Sequence, residues 1–185
     1  MLLQNIVRIV ALARLGESLR TCIELGFEFG PALYYPYKDT DFSIWDQKQN
    51  SVQPACRVEP SSTTEVVRII EILTNNWCRF AIKGGGHSPQ IDASNSVGGV
   101  TIDMIRINHV RVNKEQLTTH VGPGATLGKV YTHVEQHNLT FVGGRVADVG
   151  IAGFSLGGGI SNLSPQYGMA VDNIFEYEVS TLNFT

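Results

Sequence analysis

The chain has 185 residues, a net charge of −3 and a composition that is 43% hydrophobic and 17% charged. This length allows one ordinary domain with its own core, and the composition is typical of a globular protein, which excludes a largely disordered chain. The lack of a Lys/Arg cluster excludes a nucleic-acid partner, and the lack of an apolar run of roughly 20 residues excludes a membrane span.

The first 30 residues are expected to form a leader or a helix. Leu2–Leu15 is apolar, but Arg8 and Arg14 interrupt it and make it a poor signal-peptide core. An amphipathic helix or an incorrectly assigned start fits this segment equally well. Residues 23–53 are rich in aromatic side chains without periodicity, which predicts an extended segment over a core.

A βαβ unit is predicted to follow. Ala55–Val58 indicates a short strand, and Ser62-Thr-Thr-Glu65 has the spacing of a capping box at a helix start. Asn75-Asn76 closes that helix, and Arg79–Lys83 alternates like a second strand, which we expect to run parallel to the first. The apolar residues on one face of the helix are Val66, Ile69, Ile70 and Leu73.

The later elements complete an α+β or mixed α/β fold class. A second helix is predicted after Gly122-Pro-Gly124, with an apolar face that includes Leu127, Val130, Tyr131 and Val134. The remaining predicted strands are Gly99–Asp103, a hairpin of His109–Val112 with Leu117–Val121, Thr140–Val142, and a last one near Phe175–Val179.

Three cysteines, Cys22, Cys56 and Cys78, have no metal-ligand spacing. One disulfide with a free thiol and three buried thiols both fit this odd number, so the cysteines alone do not settle the compartment. If a disulfide forms, we expect it between Cys22 and Cys78. The Asn-X-Ser/Thr triplets that would fit a secreted protein begin at Asn138, Asn162 and Asn183.

The first glycine-rich motif, Lys83-Gly-Gly-Gly-His87-Ser88, directly follows a predicted strand. Each glycine costs roughly 0.5–1 kcal/mol in conformational entropy relative to alanine, so three in a row need a structural reason. A turn that exposes successive N–H groups can hold a phosphate or pyrophosphate, and His87 would place an imidazole beside it. A plain loop is the other interpretation of this motif taken alone.

The second motif, Val149–Gly159, has five glycines in eleven residues, interleaved with apolar side chains. This pattern suits a buried backbone packed against a flat ligand, and a glycine-rich turn is the alternative. Two such segments in one small domain favour a large phosphate-bearing cofactor.

Several motifs in unbroken order resemble FAD-linked oxidases of the vanillyl-alcohol-oxidase superfamily, and within it the berberine-bridge-enzyme-like branch. Besides the two glycine-rich motifs, they are Gly99-Val-Thr-Ile-Asp103, Val121-Gly-Pro-Gly-Ala125, Gly143-Gly-Arg-Val-Ala-Asp148, Ser164-Pro-Gln-Tyr-Gly168 and Val171-Asp-Asn-Ile174. The match covers roughly Pro31 to Leu182. The resemblance implies a PCMH-type FAD-binding domain with two small α/β subdomains.

The resemblance also implies the cofactor, FAD, and its attachment. The family histidine at the position of His87 bonds covalently through a ring nitrogen to the flavin 8α-methyl carbon. No catalytic residue and no metal site is implied within this chain. The residues with implied cofactor contacts are Lys83, Gly84, Gly85, Gly86, His87, Ser88, Val149, Gly150, Gly153, Gly157, Gly158, Gly159, Asn162 and Val171.

Departures from the family pattern qualify the resemblance. Val146 replaces the cysteine of bicovalent members, so a second flavin link is not expected. Lys83 and Gly84 stand where arginine and serine are usual, and Val149 occupies the position thought to gate oxygen. Family members are much longer, so we expect residues 31–185 to be an incomplete domain, with residues 50–104 as a first subdomain and 105–185 beginning a second.

Three other interpretations of sequence motifs are not supported by the rest of the sequence. Gly153-Phe-Ser155-Leu-Gly157 fits a nucleophile elbow, but no histidine follows it to complete a triad. Gly122-Pro-Gly-Ala-Thr-Leu-Gly128 is one residue too long for a dinucleotide fingerprint, and we interpret it as a strand–helix turn. His133 and His137 could share a helix face with a metal, but without a third ligand nearby we interpret that face as solvated.

The expected function is FAD-dependent oxidation of a small organic molecule such as an alcohol, a sugar or a secondary metabolite. The family often uses O2 as electron acceptor, so the resemblance implies O2 as one candidate acceptor, and it favours the secretory pathway. The alternative is a flavin-binding fragment without turnover of its own.

Overall fold

A computed structural model describes residues 2–180, with side chains from residue 16 onward. Contacts divide this part of the chain into two compact units. Unit 1 contains the residues up to Ile82, Ser88–Asp103 and Ser180, whereas unit 2 contains Lys83–His87 and Met104–Val179. Between residues 2 and 180, no helix is both long and apolar enough to cross a membrane. The triplet at Asn183 and the end of the resemblance lie outside the described residues.

From residue 56 to residue 135 the elements follow the predicted order of helices and strands, whereas the strand Leu33–Tyr34 and the helix Gln47–Asn50 were not predicted. The helices are α1 (Leu2–Phe29), α2 (Gln47–Asn50), α3 (Thr63–Asn75), α4 (Leu127–Glu135), α5 (Ile151–Leu156) and α6 (Ser164–Tyr167). The strands are β1 (Leu33–Tyr34), β2 (Cys56–Val58), β3 (Phe80–Lys83), β4 (Val100–Asp103), β5 (Val110–Asn113) and β6 (Thr118–Val121). Short 3-10 helices cover Gly30–Ala32, Met104–Arg106 and Ala170–Asn173.

Unit 1 is built on a four-stranded sheet in the order β1-β2-β4-β3. β1 pairs antiparallel with β2, and β2 pairs parallel with β4, so that Val58 lies opposite Ile102. The two strands of the predicted βαβ unit are therefore separated by β4. All three residues of β2 and all four of β4 are buried, as expected for central strands with both faces covered.

The predicted helix after β2 is confirmed as α3, with one difference in its cap. Ser62 is the N-cap, and its hydroxyl accepts from the Glu65 N–H at 3.2 Å. The Glu65 carboxylate returns to the Ser61 N–H at 2.6 Å, one residue before the position that a capping box requires. Ile72 is buried where the sequence pattern predicted Ile70.

The prediction of an extended segment is wrong for residues 23–29, which continue helix α1. From residue 16 onward, the buried positions of α1 have helical spacing and are Ser18, Thr21, Cys22 and Leu25. Leu19 and Ile23 of the same helix are exposed. Periodicity of apolar residues did not reveal the helix, because the buried face is made largely of small polar residues and a cysteine.

A disulfide joins Cys22 of α1 to Cys56 of β2. The predicted partner Cys78 is instead a buried free thiol, whose pKa is raised by burial. The bond closes a sequence separation of 34 residues, a loop for which the chain-entropy model gives a stabilisation of about 3–4 kcal/mol. It ties the first helix to a central strand of the sheet.

Unit 2 packs α4 against the hairpin of β5 and β6, which confirms the predicted hairpin. Val110 of β5 lies opposite Val121 of β6 in an antiparallel register. Ala125, just before α4, forms a buried cluster with Val130 and Val134 of that helix. The partly buried hydrophobic residues around this cluster are Val110, Val112, Val121, Leu139, Phe141 and Ile151.

The last two predicted strands are wrong. Residues 140–142 form no strand. The ring centroid of Phe141 lies 4.5 Å from that of Tyr131, so Phe141 is packed without hydrogen bonds to a neighbouring strand. Residues 175–179 belong to neither sheet of the described chain, and Phe175 is 94% exposed. An alternating pattern makes a strand only where another strand is available to pair with it.

A histidine pair on the hairpin predicts a pH-dependent stability. His109 and His120 stack with ring centroids 5.1 Å apart, and Nε2 of His109 is 3.0 Å from Nδ1 of His120. Burial lowers the pKa of His109, and the charges of Arg111 and His120 lower it further. A depressed pKa means that the unfolded chain binds more protons, so stability is present above about pH 6.5 and is lost as the pH falls.

His109→Gln is therefore expected to reduce the loss of unfolding free energy between pH 7.5 and pH 5, measured by urea unfolding at each pH. His133→Gln is the control, since His133 of α4 keeps its ring nitrogen 2.7 Å from the Lys129 carbonyl oxygen, away from this pair. Equal acid losses in His109→Gln and the wild type would contradict the assignment.

Candidate functional site

The first glycine-rich segment is a turn that begins at the end of β3. Lys83 is buried, and the chain then turns through Gly84, Gly85 and Gly86 to His87, which is half-buried. Gly86 has a φ of +70°, and a Cβ added there would lie 3.1 Å from Cε of Lys83. The aliphatic part of Lys83 therefore lies beneath the turn, and Gly86 is needed for its backbone conformation.

The second glycine-rich segment is not one continuous loop, because its middle forms helix α5. Gly150 is the N-cap of α5 and Gly157 its C-cap. The segment is anchored to the start of α4: Leu127 N–H donates to the Val149 carbonyl at 2.9 Å, and Ile151 N–H donates to the Ala125 carbonyl at 3.0 Å. Val149 and Gly150 are thereby held in a fixed backbone conformation.

The two glycine-rich segments meet at Gly85 and Gly150. A Cβ built on Gly85 would overlap the backbone N and Cα of Gly150, and one built on Gly150 would overlap the backbone N of Gly85. Their backbones are therefore in direct contact, and neither position has room for a side chain. Gly84 is nearly as close to its surroundings, since a Cβ there would lie 3.0 Å from the Pro123 carbonyl oxygen.

The end of the second segment is shaped by two glycines in the left-handed region. Gly158 has a φ of +93° and Gly159 a φ of +72°. The Ala170 N–H donates to the Gly159 carbonyl at 2.8 Å, and the Val171 N–H donates to the Gly158 carbonyl at 3.1 Å. Val171 is in this way held beside the glycines with which the sequence grouped it.

Other residues singled out in the sequence have defined positions. Gly153 lies within α5 with nothing within 4 Å of a Cβ added there, and Asn162 is exposed beyond α5. Asp172 caps a turn, since its carboxylate accepts from the Met169 N–H at 2.7 Å. Ser88 is half-buried and belongs to unit 1, whereas the other residues with implied cofactor contacts belong to unit 2.

Sequence reasoning missed the residues that enclose these glycines. A Cβ at Gly144 would lie 2.8 Å from the ring of Phe154, and one at Gly159 would lie 2.7 Å from the same ring. A Cβ at Gly158 would lie 2.7 Å from Cε of Met169. The signal was present in the pair Gly143-Gly144, but only the structure identifies the side chain that each glycine faces.

The alternative metal site on α4 gains no ligand set. Among the residues that the structure describes, no cluster of three or more His, Cys, Asp or Glu side chains could hold a metal ion. The arrangement instead offers a turn of three glycines, its close backbone contact with Gly150, and the imidazole of His87 directly after the turn. These features fit a ligand with a phosphate group and a flat face, which needs close backbone approach.

Comparison with known proteins identifies relatives of this arrangement. Residues 54–183 match the family model described as "FAD binding domain". A FAD-dependent monooxygenase of Cochliobolus heterostrophus, tpcD, is 43% identical over 142 residues, which cover 77% of this chain and 27% of that protein. The chain thus spans about a quarter of the length of this curated relative.

Solved structures give the same picture. 6-Hydroxy-D-nicotine oxidase from Arthrobacter nicotinovorans superimposes with a TM-score of 0.70 and 26% identity, covering 76% of this chain and 31% of the other. The wild-type BBE-like 1 protein of Physcomitrella patens superimposes with a TM-score of 0.70 and 26% identity, covering 83% and 34%. The described units therefore correspond to about a third of each of these flavoproteins.

Proposed function

The chain belongs to the family of FAD binding domains, and we propose that it is the FAD-holding part of an oxidoreductase that oxidises a small organic molecule. Its fold is that of PCMH-type flavoproteins. The observation that carries the proposal is the contact of Gly85 with Gly150, because it joins both glycine-rich segments in a single rigid site. His87 follows two residues after this contact.

The residues of unit 2 fit such a cofactor. Gly84–Gly86 form a turn without side chains, which lets the backbone approach a pyrophosphate closely. Gly150 is packed against Gly85, and the glycines at 158 and 159 are packed against Met169 and Phe154, so the backbone of the second segment has a fixed shape. Val149 and Val171 add apolar surface to this segment. When bound, the flavin supplies the ring system that takes up hydride from a substrate carbon.

We further propose that His87 holds the flavin covalently, through one ring nitrogen and the 8α-methyl carbon. Forming this bond removes one hydrogen from the methyl group and one from the imidazole, and O2 takes up the two electrons and leaves as H2O2. A permanent bond prevents loss of the cofactor. His87 is half-buried, which is compatible with this role.

The substrate class follows from the relatives and remains a proposal for this chain. One relative is named a monooxygenase and one structural neighbour an oxidase of 6-hydroxy-D-nicotine. An alcohol, sugar or secondary metabolite is the class we assign within the berberine-bridge-like branch, with O2 as electron acceptor. The Cys22–Cys56 disulfide supports a location in the secretory pathway, where disulfides persist.

His87→Ala is expected to abolish acid-stable flavin while some dissociable FAD remains bound. The measurement is acid precipitation of the purified chain, followed by the absorbance and mass of the pellet. The wild type should give a yellow pellet that is heavier by one FAD, because a covalent bond survives unfolding.

The matched control is His133→Ala, which removes an imidazole from α4 and should leave the pellet yellow. Acid-stable flavin in His87→Ala would disprove the covalent assignment. A colourless wild-type pellet, from protein that bound no FAD beforehand, would show that this chain does not hold the cofactor alone.

A further inference from the structure

A buried polar network in unit 1 is centred on Gln49, the third residue of α2. Gln49 is 0% exposed, and an unpaired amide in such a place would cost several kcal/mol. Both ends of its side chain are paired: Nε2 donates to the Ser88 carbonyl oxygen, and Oε1 accepts from the Ser94 N–H at 2.8 Å. One side chain therefore ties together the two ends of the loop formed by residues 88–94.

Asn95 and Thr101 support Gln49 from the sheet. Asn95 is also 0% exposed, and its Nδ2 donates to the carbonyl oxygens of Gln49 at 3.1 Å and Val52 at 2.9 Å. The Thr101 hydroxyl donates to Oδ1 of Asn95 at 2.8 Å. Since both amides use their oxygen and their nitrogen, the network specifies one arrangement of the loop.

We propose that Gln49 is a positioning residue for flavin attachment at His87, an inference that rests on the proposed function. Ser88 is joined to His87 by a peptide bond, and the hydrogen bond from Gln49 fixes the Ser88 carbonyl. The backbone that follows His87 therefore cannot relax. A group that forms a bond to one carbon atom must be held to within about 0.5 Å, so a looser Ser88 slows attachment.

The test compares Gln49→Glu with a change at a buried polar side chain that takes no part in this network. Gln49→Glu removes the N–H that reaches Ser88 and keeps an acceptor for the Ser94 N–H. Ser96→Ala is the control, because the Ser96 hydroxyl is buried and has no hydrogen-bond partner among the described residues. We expect covalent incorporation to be about tenfold slower or more in Gln49→Glu, since small misplacements have effects of this size.

Two readouts follow each variant: the acid-stable share of the total bound FAD over time, and hydrogen exchange of residues 84–94 in FAD-free protein. Support requires a lower acid-stable share of bound FAD and faster hydrogen exchange in Gln49→Glu, with Ser96→Ala close to the wild type. If Gln49→Glu does not fold, Gln49→Met carries the same comparison without a buried charge.

The remaining outcomes overturn the proposal in distinguishable ways. An acid-stable share that is equal in all three proteins, or equally reduced in both variants, refutes the positioning role and leaves the function of His87 standing. A wild type without any acid-stable flavin refutes the covalent function of His87 itself, and the role of Gln49 falls with it.

Discussion

Gly150→Ala is expected to lower the free energy of unfolding by about 2 kcal/mol and to reduce FAD incorporation at least about tenfold. Gly150 has a φ of −70° and a ψ of 135°, a conformation that alanine adopts without strain. The entire effect therefore comes from the added Cβ, which would overlap the backbone N of Gly85. Relief requires the Gly84–Gly86 turn to move, and this turn is the proposed pyrophosphate site.

Gly16→Ala is the control, because Gly16 lies within α1 and is not among the residues with implied cofactor contacts. A Cβ at Gly16 meets nothing within 4 Å, and alanine favours a helix by about 0.5–1 kcal/mol over glycine. Stability should thus be unchanged or slightly raised. Thermal unfolding of both variants and their content of bound FAD are the measurements. If Gly150→Ala binds FAD like the wild type, the crossing of the two glycine-rich segments is not the site.

The local sequence pattern was sufficient to predict those helices and strands whose defining contacts lie between residues close together in the chain. Ser62 and Glu65 identify the start of α3, and the alternation around Val110 and Val121 identifies the hairpin, because caps and cross-strand pairs use neighbouring residues. The glycines at 84–86 marked the site for the same reason. Three in succession have a cost that only a special backbone offsets.

The contacts between distant segments could not be predicted in this way. Nothing in the pattern shows that Gly85 faces Gly150, 65 positions later, or that Cys22 pairs with Cys56 and not with Cys78. Residues 140–142 carry a strand pattern, but the partly buried ring of Phe141 packs against Tyr131 without strand pairing. In each case the structure depends on a contact with a residue that lies outside the local pattern, and a single sequence does not show which residue that is.

Arg57→Met is expected to lower the free energy of unfolding by about 3–5 kcal/mol. The Arg57 guanidinium is 5% exposed and binds Asp39 through two hydrogen bonds of 2.7 Å. It also pairs with Glu59 and, at 3.2 Å, with Asp103. The rings of Tyr34 and Phe42 lie 4.4 and 4.7 Å from its central carbon.

Methionine would fill the space of Arg57 but remove its charge from Asp39, Glu59 and Asp103, whose side chains are only 7%, 13% and 2% exposed. The lost ion pairs are the source of the loss. Arg57→Lys keeps the charge but not the two-pronged bond to Asp39, so an intermediate loss is expected. Arg68→Met is the control, because the side chain of Arg68 is 45% exposed beside Glu28 and such a pair contributes about 1 kcal/mol or less. Urea unfolding at neutral pH measures all three variants. Equal losses for Arg57→Met and Arg68→Met would mean that solvent reaches the cluster of Asp39, Glu59 and Asp103, and that segment 34–42 is not held to β2 by charge.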